Sequence, residues 1–266
     1  MASREYRAHD EGSGFNWQLL LMTWVKICGM TNLEDALVAV EAGADAVGFV
    51  FYEKSPRRVS VETAREIVEK LPESVEKIGV FVGPDVDPAI ILMEAGLTGT
   101  QLYFSAEGVA GGNVPNKATG MACLPSRYRS VLAFPMSLFG EDMSEVERMA
   151  AGFAESKKKI PNGVSIPDGF LDTFLLDSGN LRQPGGTGHP FDWKKARGLA
   201  EGMRKDGLRL VVAGGLTPEN VDDAIGILQP WGVDVASGVE ASPGKKDAEK
   251  VRAFVRAVRE IDRKTS

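Results

Sequence analysis

The stretch WVKICGMTNLEDALVAVEAGADAVGFVF, residues 24–51, contains a complete strand–helix–strand unit. A short, mostly apolar run, Trp24–Ile27, is followed by a glycine turn and by Thr31 and Glu34, which have the spacing of a helix capping box. Apolar residues then recur at helical spacing until a second apolar run begins at Ala46. Near-continuous apolar runs of this length indicate parallel strands that are covered on both faces.

The same unit recurs along the chain after residue 51. Ser60 precedes a predicted helix over Val61–Leu71, Thr217-Pro218 starts another, and Lys245–Lys264 carries apolar residues at helical spacing. The eight predicted strands are Trp24–Ile27, Ala46–Phe51, Lys77–Val82, Thr100–Phe104, Ser130–Phe134, Thr173–Leu176, Leu208–Ala213 and Val233–Ala236. This alternation predicts a single-domain α/β protein with a (β/α)8 TIM barrel. The alternative is a doubly wound open sheet, which normally has fewer strands and a G-x-G-x-x-G motif that is absent here.

Composition excludes several classes of protein. The 266 residues suit one barrel, and a net charge of −6 argues against nucleic acid as a partner. Two cysteines and two histidines are too few for a disulfide framework or a structural zinc site, so we expect a cytoplasmic protein without a metal. A Ser-His-Asp triad would have to use His189, and a nucleophile elbow is missing. Acid–base chemistry is therefore expected from Cys, Asp, Glu, Lys or Tyr.

Three stretches fit the barrel pattern poorly. Residues 1–14 are polar and of mixed charge, and the apolar run Leu19-Leu20-Leu21-Met22 is too short for a signal peptide or a membrane span. We expect 1–21 to be a disordered or dispensable extension and 22–266 to form the catalytic barrel, with no membrane partner. Ala106–Ser126 is rich in Gly, Pro and Asn where a fourth helix is due, and Lys157–Gly169 has the composition of a loop insert.

Two glycine turns are candidates for phosphate binding, because the active face of such a barrel is built from the carboxyl ends of its strands. Gly214-Gly215 follows the seventh strand and Ser237-Gly238 ends the eighth, and bare backbone N–H groups there suit a phosphate. Either turn alone is explained by ordinary turn chemistry. The pair favours a phosphorylated substrate. Gly186, within Gly185–His189, belongs to a lid, a phosphate loop or a linker.

Three side chains are candidates for catalysis and recognition. Cys28 follows the first strand and is either a buried filler or, with a lowered pKa, a catalyst. Asp177 ends the sixth strand, where it either faces the open mouth or serves as a helix cap or ion-pair partner. Together they offer an acid and a base on opposite sides of the mouth. Arg57, beside Arg58, is either a clamp for a substrate carboxylate or half of a solvated surface pair.

Longer motifs run in one order along the chain. They are VKICGMTN (25–32), GADAVGFVF (43–51), SPR (55–57), GVFV (79–82), LLD (175–177), GGTG (185–188), FDW (191–193), AGGL (213–216), NV (220–221) and VDVASGVE (233–240). These motifs resemble phosphoribosylanthranilate isomerase from about Val25 to the C-terminus, except between about Tyr103 and Thr173. The resemblance implies a (β/α)8 barrel, without a cofactor, that occurs as a monomer or a homodimer.

The implied reaction is an Amadori rearrangement in tryptophan biosynthesis, from N-(5-phosphoribosyl)anthranilate to 1-(2-carboxyphenylamino)-1-deoxyribulose 5-phosphate. By that similarity Asp177 is the general acid that protonates the ribose ring oxygen, and Cys28 is the general base that removes the C2 proton. Arg57 holds the anthranilate carboxylate. Gly214-Gly215 and Ser237-Gly238 hold the phosphate, and Gly186 also belongs to the substrate-binding set.

The chain departs from the family pattern at Tyr103, where His is usual, at His189, where Lys is usual, and at Ala133-Phe134, where the fifth strand usually ends in Lys. Residues 105–172 are also longer and unlike. Two further hypotheses stay open. One is a related histidine-pathway-like or dual-substrate isomerase, although such enzymes use paired aspartates and Cys28 argues against them. The other is a barrel that binds a phosphosugar without turnover.

Overall fold

The computed structural model describes residues 22–83, 87–103, 128–136, 172–179 and 190–265. Eight parallel strands form a closed barrel in these ranges, and the last strand pairs with the first. The strands are β1 (Trp24–Cys28), β2 (Ala46–Val50), β3 (Glu76–Val82), β4 (Gly99–Tyr103), β5 (Arg129–Pro135), β6 (Thr173–Asp177), β7 (Arg209–Ala213) and β8 (Gly232–Val235). Each end lies within one residue of its predicted position. The (β/α)8 barrel is therefore confirmed, and the open-sheet alternative is wrong.

Six α-helices in the described ranges pack around the barrel. They are α1 (Leu33–Ala42), α2 (Val61–Val68), α3 (Pro88–Glu94), α4 (Arg197–Lys205), α5 (Val221–Leu228) and α6 (Ala248–Thr265). Within these ranges, no helix is long and apolar enough to cross a membrane. The predicted extension 1–21, the stretches 106–126 and 157–169, and Gly186 lie outside the described residues.

The last helix begins later than predicted. Lys245–Lys246 is a short strand, β10, that pairs antiparallel with β9 (Glu240–Ser242). The backbone N–H of Lys246 donates to Asp35 at 2.7 Å, a contact between distant parts of the chain that the helical periodicity does not reveal. The helix starts after Asp247, whose carboxylate accepts from the next free backbone N–H groups.

The cap of α1 also differs from the prediction. The side chain of Asn32 accepts from the backbone N–H of Asp35 at 2.9 Å and is the cap, whereas the Thr31 hydroxyl donates to the carbonyl of Gly244. Thr31 is thus used for a contact with the β9–β10 turn. The prediction of Ser60 as the cap of α2 is confirmed, because its hydroxyl accepts from the N–H of Thr63 at 3.1 Å.

The start of α5 is three residues later than the Pro218 start predicted from sequence. The Asn220 amide oxygen accepts from the N–H of Thr217 at 2.8 Å, and its amide nitrogen donates to the carbonyl of Gly215 at 2.9 Å. These two bonds fold residues 215–220 into a turn that starts at the mouth of the barrel, so the helix begins only at Val221.

Side chains alternate along the strands between the barrel interior and the layer under the helices. One apolar cluster inside the barrel consists of Trp24, Ala46, Ile78, Val131, Ala133, Leu175, Val211 and Ala213. Because residues two positions apart along a strand face the same way, Lys26 faces the interior one layer above Trp24, towards the carboxyl ends, and Gln101 lies above Gly99 in the same way. The same alternation brings Cys28, Tyr103 and Asp177 to the mouth.

Candidate active site

A pocket opens at the carboxyl end of the barrel, as the fold predicts. Its lining includes seven of the eight predicted site residues: Cys28, Arg57, Asp177, Gly214, Gly215, Ser237 and Gly238. The eighth, Gly186, lies outside the described residues. Cys28 ends β1 and Asp177 ends β6, so that on the shorter way round the wall β7 and β8 lie between them. The structure thus brings an acid, a thiol, a cation and two glycine turns to one cavity.

An ion pair that the sequence analysis missed lies beneath this pocket. Lys26 is fully buried, and its Nζ donates to Asp234 Oδ2 at 2.7 Å and to Gln101 Oε1 at 2.8 Å. Asp234 also lines the pocket, and its Oδ1 is buried without a hydrogen-bond partner among the described residues. The period of a strand could have found this layer, since Lys26 stands two residues before Cys28 and shares its face.

The Cys28 thiol is buried beside a cation. Burial raises the pKa of the thiol and Asp234 adds to this, whereas Lys26 and Lys246 lower it, and the net direction is upward. The neighbouring residue is Gly48, where a Cβ would lie 2.7 Å from Cys28 Sγ and 3.0 Å from Lys26 Cε. Glycine at position 48 therefore leaves room for both groups. A cation within reach of the sulfur favours the thiolate, which is the form that can act as a base.

The Asp177 carboxyl is 3% exposed and accepts two hydrogen bonds. The hydroxyl of Tyr103 donates to its Oδ2 at 2.7 Å, and the backbone N–H of Gly179 donates to its Oδ1 at 2.7 Å. Burial raises the pKa of Asp177, the two hydrogen bonds oppose this, and the net direction is upward. A carboxyl with a raised pKa keeps its proton at higher pH than an exposed one, as a general acid requires.

The Arg57 guanidinium lies at the edge of the pocket in a fixed orientation. Its Nε and Nη2 each lie 2.8 Å from an oxygen of Glu240, which also accepts from Lys246 Nζ at 3.0 Å. The Arg57 side chain is 13% exposed, so the solvated-surface interpretation is wrong for it. Arg58, by contrast, pairs with Glu53 at the surface, where its side chain is 52% exposed.

The two glycine turns leave no space for side chains. Gly214 and Gly215 have φ of 81° and 66°, a region that disfavours other residues. A Cβ at Gly238 would lie 1.8 Å from the carbonyl oxygen of Leu216, which places the turn after β8 directly against the turn after β7. Bare backbone thus lines this side of the pocket. In the described part of the chain, no cluster of three or more His, Cys, Asp or Glu side chains could hold a metal ion.

The chain is similar to known proteins of one kind. A family described as N-(5'-phosphoribosyl)anthranilate (PRA) isomerase matches residues 25–102 and 165–257. The N-(5'-phosphoribosyl)anthranilate isomerase of Rubrobacter xylanophilus is 42% identical over 90% of this chain and 100% of its own length. The crystal structure of phosphoribosyl anthranilate isomerase from Thermotoga maritima is 35% identical, covers 90% of this chain and 100% of its own, and superposes with a TM-score of 0.67.

A further solved phosphoribosyl anthranilate isomerase holds reduced 1-(o-carboxyphenylamino)-1-deoxyribulose 5-phosphate. It is 35% identical, covers 90% of this chain and 100% of its own, and has a TM-score of 0.65. The matches span most of the chain, and the family motifs supply the strand ends that line the pocket. This chain belongs to the N-(5'-phosphoribosyl)anthranilate isomerase family.

Proposed function

We propose that this chain converts N-(5-phosphoribosyl)anthranilate into 1-(2-carboxyphenylamino)-1-deoxyribulose 5-phosphate, an isomerisation of tryptophan biosynthesis. The observation that carries the proposal is that Cys28 and Asp177 line one pocket together with the glycine turns after β7 and β8, in a chain that belongs to this isomerase family. The pocket offers an acid, a base and a bare backbone wall. An aldose phosphate bearing an anthranilate needs all three.

Asp177 begins the reaction by donating its proton to the ribose ring oxygen, which opens the ring to a Schiff base. Its raised pKa, caused chiefly by burial, supports a protonated carboxyl at the start of this step. The thiolate of Cys28 then takes the proton from C2 and yields an enolamine, which tautomerises to the ketone. The neighbouring Lys26 and Lys246 lower the pKa of the thiol and so offset part of the effect of its burial.

The residues that bind the substrate surround Cys28 and Asp177. Gly214-Gly215 and Ser237-Gly238 bind the phosphate through backbone N–H groups, as glycine turns at this end of a barrel often do. Gly186 joins them as a substrate-binding residue. Arg57 binds the anthranilate carboxylate, and its bidentate pair with Glu240 holds the guanidinium at the rim before substrate arrives. Preorganisation of this kind reduces the cost of binding.

The test is an assay of purified protein for loss of phosphoribosylanthranilate fluorescence, in parallel with Cys28→Ala and Asp177→Asn. We expect turnover by the parent and a loss of about 10²-fold or more in each variant, the usual effect of removing a general acid or base. Asp223→Asn is the matched control, since Asp223 is exposed on α5. Full activity in Cys28→Ala or Asp177→Asn would disprove the assigned roles.

A barrel that binds without turnover gives a different result. Titration calorimetry with reduced 1-(o-carboxyphenylamino)-1-deoxyribulose 5-phosphate would then show binding by a parent that produces no fluorescence change. That pair of results would contradict the isomerase proposal and favour the alternative.

We further propose a cytoplasmic enzyme that takes a small phosphorylated substrate, without a nucleic acid or membrane partner. Sedimentation velocity distinguishes the monomer from the homodimer.

A further inference from the structure

Tyr103 is a mouth residue that the proposed mechanism does not use. It ends β4 and lines the pocket, and it stands where the family pattern usually has His. Its hydroxyl lies 2.7 Å from Asp177 Oδ2, within the usual range for an O–H donor to a carboxylate. The side chain packs against the small apolar cluster that contains Cys28, Val50 and Val80.

Gln101 connects Tyr103 to the buried ion pair of Lys26 and Asp234 through hydrogen bonds. Gln101 Nε2 donates to the Tyr103 hydroxyl oxygen at 3.4 Å, and Gln101 Oε1 accepts from Lys26 Nζ at 2.8 Å. Because the phenol oxygen accepts from the amide, its own proton is directed towards Asp177. The strand register places Gln101 and Tyr103 on one face of β4, so this orientation is built into the barrel wall.

We propose that Tyr103 is a positioning residue for the general acid, which holds the Asp177 carboxyl in the plane needed for proton donation and stabilises the carboxylate that remains afterwards. This inference rests on the proposed function, since it concerns the same proton transfer. The backbone N–H of Gly179 holds the other oxygen, at 2.7 Å, so that the two bonds together fix the rotation of the carboxyl group. One lone pair on each oxygen stays available for the proton that is transferred.

Several other groups, besides Tyr103, also change the pKa of the Asp177 carboxyl. Burial and Asp234 raise the pKa of Asp177, whereas Tyr103, Gly179 N–H and Lys26 lower it. Burial and Asp177 raise the pKa of the Tyr103 phenol, with smaller contributions from Asp234 and Cys28, so the phenol stays protonated and remains a donor. Removing the hydroxyl therefore changes Asp177 in one direction, towards a higher pKa.

The test compares the parent, Tyr103→Phe and the control Tyr128→Phe. Tyr128 precedes β5 at the amino end of the barrel, away from the pocket lining. Carbon-13 NMR of protein labelled at aspartate carboxyls follows the titration of Asp177, assigned by the signal that Asp177→Asn lacks. We expect the Asp177 midpoint to move to higher pH in Tyr103→Phe, and one break of the kcat/KM–pH profile to move with it. The control should match the parent in both measurements.

Two results would overturn the proposal. One is an Asp177 midpoint that is the same in the parent and in Tyr103→Phe. The other is a rise in KM with an unmoved break, since this would show that Tyr103 contacts the substrate directly. Should Tyr103→Phe fail to fold, 3-fluorotyrosine at position 103 keeps the shape and donates more strongly, so the midpoint should then move to lower pH. Absence of turnover in the parent would contradict the proposed function, whereas the NMR midpoints still decide the role of Tyr103.

Discussion

Lys26 and Asp234 form a buried ion pair beneath the pocket, with Lys26 Nζ 2.7 Å from Asp234 Oδ2. Lys26 is fully buried and Asp234 is 5% exposed, so neither charge is solvated. Burial by itself lowers the pKa of Lys26, but Asp234 and Cys28 raise it, so the ammonium stays charged. The pair as a whole adds little to the free energy of unfolding, because desolvation of two ions offsets much of their attraction. Its role is to hold the side chains beneath the pocket in place.

Lys26→Met should therefore be strongly destabilising. The change leaves the Asp234 carboxylate buried without its cation, which typically costs about 3–5 kcal/mol. Urea unfolding measures this loss. Arg252→Met is the control, because the Arg252–Glu249 pair is exposed, at 42% and 86%, and such pairs contribute about 1 kcal/mol or less. Equal midpoints for the two variants would show that Asp234 does not depend on Lys26.

Glu240 leads to a prediction about acid stability. Burial raises the pKa of this carboxyl, but Arg57 and Lys246 outweigh burial and hold the pKa below its ordinary value. A lowered folded-state pKa means that the stabilisation is fully present above the unfolded pKa, about 4.3, and is lost as the pH falls through the folded value.

Glu240→Gln should thus reduce the free energy of unfolding most at neutral pH, by about 3 kcal/mol for a broken buried pair. The gap between the parent and Glu240→Gln should close as the pH falls below about 4. Urea unfolding at pH 7, 5 and 3 tests this, with Glu249→Gln on the exposed side of α6 as the control. A gap that is constant with pH would mean that the Glu240 charge is not the source of the stability.

At the scale of elements, two glycines differ in whether the surrounding structure has space for a side chain. A Cβ at Gly226, within α5, would meet nothing within 4 Å, whereas one at Gly238 would meet the backbone of Leu216. Gly226→Ala should stabilise the protein by about 0.5–1 kcal/mol, since glycine is a poor helix former. Gly238→Ala should displace the turn after β7 and raise KM, because this turn is assigned to the phosphate. Thermal unfolding and steady-state kinetics of both variants test the pair. An unchanged KM in Gly238→Ala would contradict the phosphate assignment.

The strands could be predicted from sequence to within one residue, whereas the helix starts were predicted less well: the Ser60 cap of α2 is confirmed, but α5 and α6 each begin three residues later than predicted. Strand prediction succeeds because burial on both faces requires apolar runs, which glycine or a polar turn then ends. Helix starts fail where tertiary contacts take the capping residue. Thr31 bonds to Gly244, more than two hundred residues away, and Asn32 becomes the cap instead. Lys245–Lys246 forms a strand because Asp35 accepts the N–H of Lys246.

The residues of the candidate site could be predicted where a reactive side chain lies at the carboxyl end of a strand. Cys28 and Asp177 were found from that position. Lys26, which lies one layer deeper, was missed because a charged residue inside a strand is easily taken for part of an apolar run. Which side chains form ion pairs across the fold could not be predicted from sequence. Arg57 and Glu240, for example, are 183 positions apart in the chain.

At the scale of the whole molecule, α6 ties the two ends of the barrel chain together. Arg259 donates to the carbonyl of Thr23, to that of Gly43 and to the carboxylate of Asp45, the last at 2.8 Å. Asp262 accepts from both the N–H and the hydroxyl of Thr23. One helix turn near the C-terminus thus holds the start of β1 and the loop before β2, beside the seam where β1 pairs with β8.

Arg259→Ala should therefore weaken the whole barrel rather than the last helix alone. We expect a loss of about 2–4 kcal/mol, because two carbonyls and a carboxylate lose a charged donor. Urea unfolding should show a lower midpoint with an unchanged slope, since the slope follows the surface exposed by global unfolding. Arg256→Ala, on the exposed face of α6, should change stability by no more than about 0.5 kcal/mol. A midpoint that stays at the parent value in Arg259→Ala would mean that apolar packing of Phe254 and Val258 alone holds α6 against the barrel.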